Sequence, residues 1–250
     1  MKLLKITSAL MSAFMCMSMV MTPVRVFADE AIDGKAASVN PTEVGYVGIA
    51  KDTILVYKVT NNATDGTGTV SVEGFIGFTS IIDLDDPDKN YYETVIIPAA
   101  VTMLDGVTYK VTAVSANAFR KNTKIKNLVI GPNVTSIGAN AFYGCSGLTK
   151  VTGGNGIKTI GAGAFAYCPN LSTFIIYSKV LAKIGKGAFY SDTKLFTLCF
   201  KNTVKLKKSG VKGCLKGSSV KTVRVKKSIV KKYRKIFKKK NSGRKVKVKK

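Results

Sequence analysis

The segment Ile137-Gly-Ala-Asn-Ala-Phe-Tyr-Gly-Cys-Ser-Gly-Leu148 returns almost unchanged as Ile160-Gly-Ala-Gly-Ala-Phe-Ala-Tyr-Cys-Pro-Asn-Leu171. Two looser copies of its first half flank this pair, Val114-Ser-Ala-Asn-Ala-Phe119 before it and Ile184-Gly-Lys-Gly-Ala-Phe189 after it. The phenylalanines of the four copies are 23, 23 and 24 residues apart. Self-similarity at a period of this length is the sequence signature of a solenoid, in which each copy is one structural unit.

Each copy also carries aliphatic residues at fixed distances after its phenylalanine. In the last clear copy these are Leu195, Leu198 and Phe200, a spacing that predicts a short strand with one buried face. The Ala-Phe segment supplies small and large inward residues for the opposite wall, and the glycine after each Ile predicts a tight turn there. One copy cannot bury its apolar side alone, so we expect successive coils to share one core and to align their strands in a parallel sheet.

Incomplete copies extend the pattern in both directions. Upstream, Tyr92-x-x-Val95-x-Ile97 has the strand spacing, and the Asp105-Gly106 dipeptide after it predicts a hairpin turn. Downstream, we align Val211-Lys-Gly-Cys214 with the Phe-x-x-Cys part of the repeat, and Val220-x-x-Val223-x-Val225 predicts the next strand. Because terminal repeats are usually atypical, we expect a solenoid of about five or six coils.

The segments outside the repeats predict two caps. A strand from Ile54 to Val59 and another from Thr69 to Phe75 predict a β-hairpin that covers the first coil. After Lys226, apolar residues at near-helical spacing and the alternating Val246 and Val248 predict a short basic helix followed by a strand.

The phrase Ile-Gly-x-x-Ala-Phe-x-x-Cys-x-x-Leu resembles the BspA-like leucine-rich repeat family, and the likeness covers about residues 92–229. The resemblance implies a secreted or surface-displayed bacterial protein, with adhesion or protein binding suggested for some members and no catalytic residues. The expected fold is a leucine-rich repeat solenoid of α/β-type coils with a parallel sheet on one face. We divide the chain into a signal peptide (1–28), an N-terminal β-rich cap (29–90), the solenoid (91–227) and a basic C-terminal cap (228–250).

Charge and the N-terminus indicate export and an anionic partner. Residues 1–28 have a basic start, an apolar stretch and Val26-Phe27-Ala28 at their end, as in a cleaved secretory signal. Residues 29–105 carry 13 acids and 4 bases, whereas residues 106–250 carry 33 bases and the single acid Asp192. A field of this kind attracts polyanions such as anionic wall polymers or sulfated glycans, with nucleic acid a weaker candidate.

The composition excludes much catalytic chemistry. The chain has no histidine, which removes imidazole bases and His metal ligands, and no Cys-x-x-Cys phrase for zinc is present. The acidic run from Asp83 to Asp88 lacks the glycine and terminal Glu of a calcium loop. A Ser-Lys hydrolase remains as a minor alternative, since the one Ser-x-x-Lys phrase considered, Ser209 to Lys212, lies in an incomplete coil. We predict no catalytic, cofactor or metal site.

The cysteines leave two interpretations open. We place Cys145, Cys168 and Cys214 in one register, with Asp192 in the same slot of the copy between them. Equivalent residues of consecutive coils lie about 4.8 Å apart, so either a Cys145–Cys168 disulfide or a row of buried free thiols is compatible with the pattern. Cys199, between two inward residues, is expected to face outward.

Two surfaces are candidates for binding. Positions that alternate with the buried strand residues define a predicted binding face: Thr94, Asn127, Val129, Lys150, Thr152, Thr173, Ile175, Phe196, Thr197, Thr222 and Arg224. Of these, Val129, Ile175 and Phe196 predict an exposed apolar cluster of the kind that marks partner sites. Cations of the tail define a predicted polyanion contact: Lys226, Lys227, Lys231, Lys232, Arg234, Lys235, Lys238, Lys239, Lys240, Arg244 and Lys245.

The favoured function is a secreted, non-enzymatic protein that binds protein or glycan ligands at the bacterial surface, with its basic end on anionic polymers. A structural, self-associating component of an extracellular matrix is the alternative.

Overall fold

The computed structural model describes residues 47–49, 55–61, 67–75, 93–102, 107–202 and 205–250. The predicted signal peptide and the acidic run at 83–88 lie outside these residues. The described strands are β1 (Val47–Ile49), β2 (Leu55–Asn61), β3 (Thr69–Phe75), β4 (Thr94–Ile97), β5 (Ala100–Thr102), β6 (Thr108–Val114), β7 (Asn127–Ile130), β8 (Ser136–Ile137), β9 (Lys150–Gly153), β10 (Thr159–Ile160), β11 (Thr173–Ile176), β12 (Lys183–Ile184), β13 (Thr197–Phe200), β14 (Thr222–Arg224) and β15 (Lys247–Lys249). Two short helices, α1 (Val230–Ile236) and α2 (Lys239–Ser242), lie between the last two strands.

The predicted parallel sheet is confirmed. Strands β4, β7, β9, β11, β13, β14 and β15 lie side by side in chain order, and every neighbouring pair is parallel. Their central residues align and are buried, as in the pairing of Phe174 with Leu198 and of Val223 with Val248. We call these seven strands the main sheet.

A second sheet, not expected from the sequence, runs along another side of the coils. The two-residue strands β8, β10 and β12 pair in parallel with one another, and β8 pairs with β6. Each contributes one buried isoleucine, such as Ile160. The predicted hairpin forms between β2 and β3, and β3 continues this second sheet through parallel pairing with β6. The hairpin predicted around Asp105-Gly106 also forms, between β5 and β6.

The Ala-Phe segments form consecutive turns, and the described residues from β4 to β13 contain no helix. Their backbones pair from coil to coil: the N–H of Phe142 donates to the carbonyl of Ala164 (2.8 Å), and that of Phe165 donates to the carbonyl of Ala188 (2.9 Å). Residues two before and two after each phenylalanine have left-handed backbone; these are Asn117, Lys121, Asn140, Gly144, Gly163, Tyr167, Gly187 and Ser191. Because left-handed residues flank each phenylalanine, the backbones of these turns form hydrogen bonds with the next coil without being regular strands. We call this third wall of the coils the turn wall.

The repeated glycines serve a different purpose from the one predicted. A Cβ atom at Gly161 would lie 2.5 Å from the backbone nitrogen of Ala139, and one at Gly185 would lie 2.3 Å from that of Ala162. Neither glycine has left-handed backbone. They are therefore required by the close approach of the preceding coil, and the tight-turn explanation was wrong.

The phenylalanines stand in file at the centre of the core. The ring centroids of Phe119 and Phe142 are 5.0 Å apart, those of Phe142 and Phe165 are 5.2 Å apart, and those of Phe165 and Phe189 are 6.0 Å apart, with interplanar angles of 8° or less. All four rings are buried. The stacked coils predicted from the 23-residue period are thus confirmed.

The register of the coil after Phe189 differs from the predicted one. Gly213 and Gly217 take the two left-handed positions, so Leu215 rather than Val211 occupies the place of the stacked phenylalanine. The N–H of Ser218 donates to the carbonyl of Leu215 (3.2 Å), as that of Cys145 does to the carbonyl of Phe142 (3.3 Å). Ser218 therefore fills the cysteine slot of this coil, and the prediction that Cys214 does so was wrong.

The chain continues to coil beyond residue 227. Helix α1 buries Tyr233 and Ile236, and the Tyr233 hydroxyl accepts a hydrogen bond from the N–H of Leu206 (3.1 Å). Burial raises the pKa of this phenol to about 12. The N–H of Gly213 then donates to the carbonyl of Asn241 (2.7 Å), which places α2 in line with the turn wall. Strand β15 follows and extends the main sheet by one strand.

Candidate binding surfaces

The outward residues of the main sheet form two aligned rows. Before each buried central residue, the first row contains Thr94, Asn127, Lys150, Thr173, Thr197, Thr222 and Lys247. After it, the second row contains Ile96, Val129, Thr152, Ile175, Cys199, Arg224 and Lys249. All are exposed or half-buried. The structure thus places the predicted binding-face residues of the strands on one surface, which we call the sheet face.

The apolar part of the sheet face is arranged differently from the predicted cluster. Thr152 stands between Val129 and Ile175 in the second row, and Phe196 lies just before β13, so the three predicted residues are not contiguous. The most exposed apolar side chain is Ile96, with 61% of its surface accessible, directly opposite Val129. Two neighbouring apolar residues at the first two strands therefore replace the predicted patch.

The opposite end of the sheet face is basic. Arg224 lies directly opposite Lys249 and Thr222 opposite Lys247, and all three cations are exposed. The Nζ atom of Lys221 lies 4.9 Å from the centroid of the exposed Phe196 ring. Lys221, Lys247 and Lys249 were missed as site residues in the sequence, although the alternation of Val246 and Val248 places Lys247 and Lys249 on the outward side.

The predicted polyanion-contact residues lie around the two short helices and the segments next to them. Most have exposed side chains: Lys226, Lys227, Lys231, Lys232, Arg234, Lys235, Lys238, Lys239, Lys240 and Lys245. Arg244 is half-buried, and its Nε–H donates to the carbonyl of Val220 (2.7 Å). Arg244 therefore holds the last coil to the one before it, in addition to any contact with a ligand.

Acidic groups are scarce near these cations. Residues 201–250 contain 22 bases and no acid. Asp192, the one acid after residue 105, is fully buried; its Oδ1 atom accepts a hydrogen bond from the N–H of Cys168 (2.8 Å). Burial raises the pKa of this carboxyl group to about 8, so it is mainly neutral at pH 7. Residues 201–250 thus contain no acidic side chain that could offset their cations.

The four cysteines in the described part of the chain, Cys145, Cys168, Cys199 and Cys214, are free thiols. Of the two alternatives for Cys145 and Cys168, the structure therefore has the buried free thiols and not the disulfide. The Sγ–H of Cys145 donates to the carbonyl of Phe119 and that of Cys168 to the carbonyl of Phe142, both at 3.1 Å. A hydrogen bond with Cys145 and burial raise the pKa of Cys168, and burial raises that of Cys214 to about 12. Both stay protonated at neutral pH and are poor nucleophiles.

A row of tyrosines on the turn wall was also missed. The ring centroids of Tyr143 and Tyr167 are 5.1 Å apart, those of Tyr167 and Tyr190 are 5.3 Å apart, and Arg120 lies over the Tyr143 ring. Tyr143 and Tyr190 directly follow a phenylalanine, but Tyr167 stands one residue later, which hid the row in the sequence.

Neither a metal nor a membrane span is indicated by the described part of the chain. It holds no group of three or more His, Cys, Asp or Glu side chains with the geometry of a metal site. It also contains no helix with the length and apolar character needed to cross a bilayer. Ser209 and Lys212, the pair considered for hydrolysis, are both exposed in and beside a short 3-10 turn.

Several known structures are similar to this chain. A leucine-rich repeat protein from Bacteroides capillosus is 24% identical over 62% of this chain and 94% of its own, with a TM-score of 0.45. The leucine-rich repeat protein of T. pallidum is 21% identical over 69% of each chain, with a TM-score of 0.49. A leucine-rich cell surface protein from Faecalibacterium prausnitzii is 20% identical over 70% of this chain and 45% of its own, with a TM-score of 0.41. A comparison with curated proteins found no match.

The model of the BspA type leucine-rich repeat region matches residues 112–243 in six copies. That range contains the four stacked phenylalanines and the coil that includes α1 and α2. The chain therefore belongs to the BspA type leucine-rich repeat family.

Proposed function

We propose that this protein is a secreted, non-enzymatic binding protein of the bacterial surface. Its sheet face binds a protein or glycan ligand, and its basic end holds anionic polymers of the envelope or of a host matrix. The observation that carries the proposal is the joining of a broad, ordered wall of short strands to a terminal segment with 22 bases and no acid.

The shape of the molecule supports binding rather than catalysis. The sheet face presents hydroxyl, amide, apolar and cationic side chains in two straight rows. The described thiols with shifted pKa values are protonated at neutral pH, and the chain has no histidine. An extended, repetitive surface of this kind suits an extended partner, as in other solenoid proteins.

The charge supports attraction of polyanions. Because the single acid of residues 106–250 is buried and mainly neutral, exposed cations of this part of the chain act together. Export follows from the signal-like residues 1–28, and it directs the proposal toward extracellular polymers.

Salt-dependent binding to isolated cell wall and to a sulfated polysaccharide column tests this function. We expect retention at low salt and release as ionic strength rises, since exposed charges are screened over about 8 Å at physiological salt. The test variant carries Lys231→Gln and Lys232→Gln on α1. A matched control removes the same number of charges next to the second sheet and on it, with Lys158→Gln and Lys183→Gln. Absence of retention at low salt would remove the electrostatic half of the proposal.

Self-association into a matrix is a second candidate, favoured by the charge asymmetry of the chain. Residues 29–105 carry 13 acids against 4 bases, and the other end is basic, so copies meeting head to tail would bring opposite charges together. Sedimentation of the purified protein at low and high salt tests it. Large species that dissolve with added salt favour association, and a monomer under all conditions excludes it.

A further inference from the structure

A group of exposed cations lies on the main sheet, apart from those of the helices. Arg224 and Lys249 are direct cross-strand partners, and Lys247 is two residues before Lys249 on the same outward side. Lys221 directly precedes the strand that carries Arg224. We call these four residues the basic corner of the sheet face.

This arrangement is unfavourable for the isolated protein. Like charges directly opposite each other on a sheet are destabilising. Lys249 has Arg224 directly opposite it, and residues 201–250 contain no acid. Nothing in the packing requires either charge, because Val223 and Val248 supply the buried contacts of the two strands.

The cations of the corner also differ from the helical cations in their spacing. Main-sheet strands lie about 4.8 Å apart, and outward residues on one strand are spaced by about 6.6 Å. Backbone pairing therefore fixes the distances between the Cα atoms of these cations. On α1, which buries Tyr233 and Ile236, consecutive side chains are rotated by about 100° around the helix axis, so its cations point in different directions. An extended anion therefore meets several cations at once on the sheet.

Hydroxyl groups lead into the corner. Thr173, Thr197 and Thr222 occupy the same outward row on three consecutive strands, and the next member of the row is Lys247. Threonine hydroxyls both donate and accept hydrogen bonds, as sugar hydroxyls do. Arg224 adds the planar fork that binds two oxygens of a sulfate or phosphate group.

We infer that the basic corner is the binding site for a linear glycan that carries sulfate or phosphate esters, with its sugar rings along the threonine row. The inference rests on the proposed function and deepens it, since it moves the main anionic contact from α1 to β14 and β15. Single-stranded nucleic acid fits less well, because it stacks successive bases on several aromatic rings, whereas the four residues of the corner are all cations and the exposed Phe196 ring beside them is in contact with Lys221.

The test compares two triple variants that remove the same charge. The sheet variant carries Arg224→Thr, Lys247→Thr and Lys249→Thr, using the residue that occupies the first outward row on β11, β13 and β14. The helix variant carries Lys231→Gln, Lys232→Gln and Lys235→Gln, all exposed positions of α1. Affinity is measured by calorimetry against a heparin oligosaccharide, a phosphorylated mannan and a single-stranded oligonucleotide of equal charge, at several salt concentrations.

We expect the sheet variant to lose at least about tenfold in glycan affinity and to reduce the salt slope by about two to three, with a smaller loss for the helix variant. The preferred glycan identifies sulfate or phosphate as the bound group. The sheet variant should melt at the same or a higher temperature, because repulsion among the cations is removed. If these residues had a merely structural role, replacing them would lower the melting temperature. If it fails to fold, Lys249→Thr alone is measured in its place.

Equal losses in the two triple variants, or stronger binding of the oligonucleotide than of both glycans, would overturn the inference. If the unaltered protein binds neither glycan at low salt, the electrostatic part of the proposed function itself fails. If it binds and the sheet variant binds equally well, only the assignment to the basic corner fails.

Discussion

At the scale of single residues, Asp192 shows how one exception in a repeat acquires its own chemistry. Two preceding coils place Cys145 and Cys168 in this slot, and both thiols donate to a carbonyl. The Asp192 carboxyl group instead accepts from the N–H of Cys168, and its Oδ2 atom has no partner among the described residues. Such a group is more stable in its protonated form than as a buried anion.

The stability of the fold should therefore decrease with pH through this residue. The folded pKa of about 8 lies above the unfolded value of about 3.9, so the folded state holds one more proton between these limits. The contribution of Asp192 to the free energy of unfolding is complete below the unfolded pKa. It decreases by about 1.4 kcal/mol per pH unit as the pH rises toward the folded pKa. Asp192→Asn should abolish this part of the slope. Urea unfolding of both proteins from pH 5 to 9 measures it, and parallel curves would contradict the assignment.

Tyr167 is the second informative residue, because a bulky side chain occupies a left-handed position with φ of 59° where the coil before it has Gly144. Contacts with Tyr143 and Tyr190 offset this strain. An aromatic pair contributes about 0.5–1.5 kcal/mol, and the left-handed backbone costs about 1–2 kcal/mol.

We expect Tyr167→Asn to destabilise the protein when both neighbouring tyrosines are present. The same change should be neutral or stabilising once Tyr143→Ser and Tyr190→Ser have removed the contacts, because asparagine tolerates left-handed backbone. A double-mutant cycle of thermal unfolding measures the difference. An identical effect in both backgrounds would show that the ring contacts do not offset the strain.

At the scale of elements, the turn wall depends on glycines that no larger residue can replace. Gly161→Ala would place a Cβ atom 2.5 Å from backbone atoms of the preceding coil, which are not free to move as a side chain is. We expect a loss of several kcal/mol or failure to fold, measured by circular dichroism. Gly187→Asn is the matched control: its Cβ atom meets nothing closer than 3.7 Å, and the corresponding residue two coils earlier is Asn140. Equal damage by the two changes would refute the close-approach explanation.

The elements also show why part of the fold was predictable. The main sheet follows from four-residue strands whose buried residues alternate, as in β11, and the core follows from phenylalanines at a constant spacing. The second sheet was missed because the coils contribute to it strands of only two residues, β8, β10 and β12, too few for any alternation to appear. The register after Phe189 was misassigned because Val211 and Cys214 imitate the repeat, whereas the left-handed Gly213 and Gly217 fix the true positions.

The candidate site was predictable to a similar extent. Alternation alone identifies the outward side of β9, β11 and β13, and the cation count identifies the basic end. Alternation does not show that β15 joins the main sheet, because its partner β14 precedes it by more than twenty residues of helix and turn. The basic corner therefore appears only when the last coil is folded.

At the scale of the whole molecule, the long-range force is repulsion among cations. Residues 106–250 carry 33 bases, and their one acid is buried. Self-repulsion destabilises a compact state. Salt weakens this repulsion, because exposed charges more than about 10 Å apart are largely screened at 0.1 M. The melting temperature should consequently rise as sodium chloride increases from about 0.02 to 0.5 M.

Exposed cations of the last coil should account for much of that rise, because α1, α2 and β15 hold many of them close together in the sequence. Removing this coil is a poor test, since it would expose the core that Tyr233, Phe237 and Val248 cover. The variant with Lys231→Gln, Lys232→Gln and Lys235→Gln keeps those contacts and should melt at a higher temperature in low salt, with a flatter dependence on salt. Scanning calorimetry at low and high salt measures both effects, and a melting temperature that falls with added salt would mean that attractive ion pairs outweigh the repulsion.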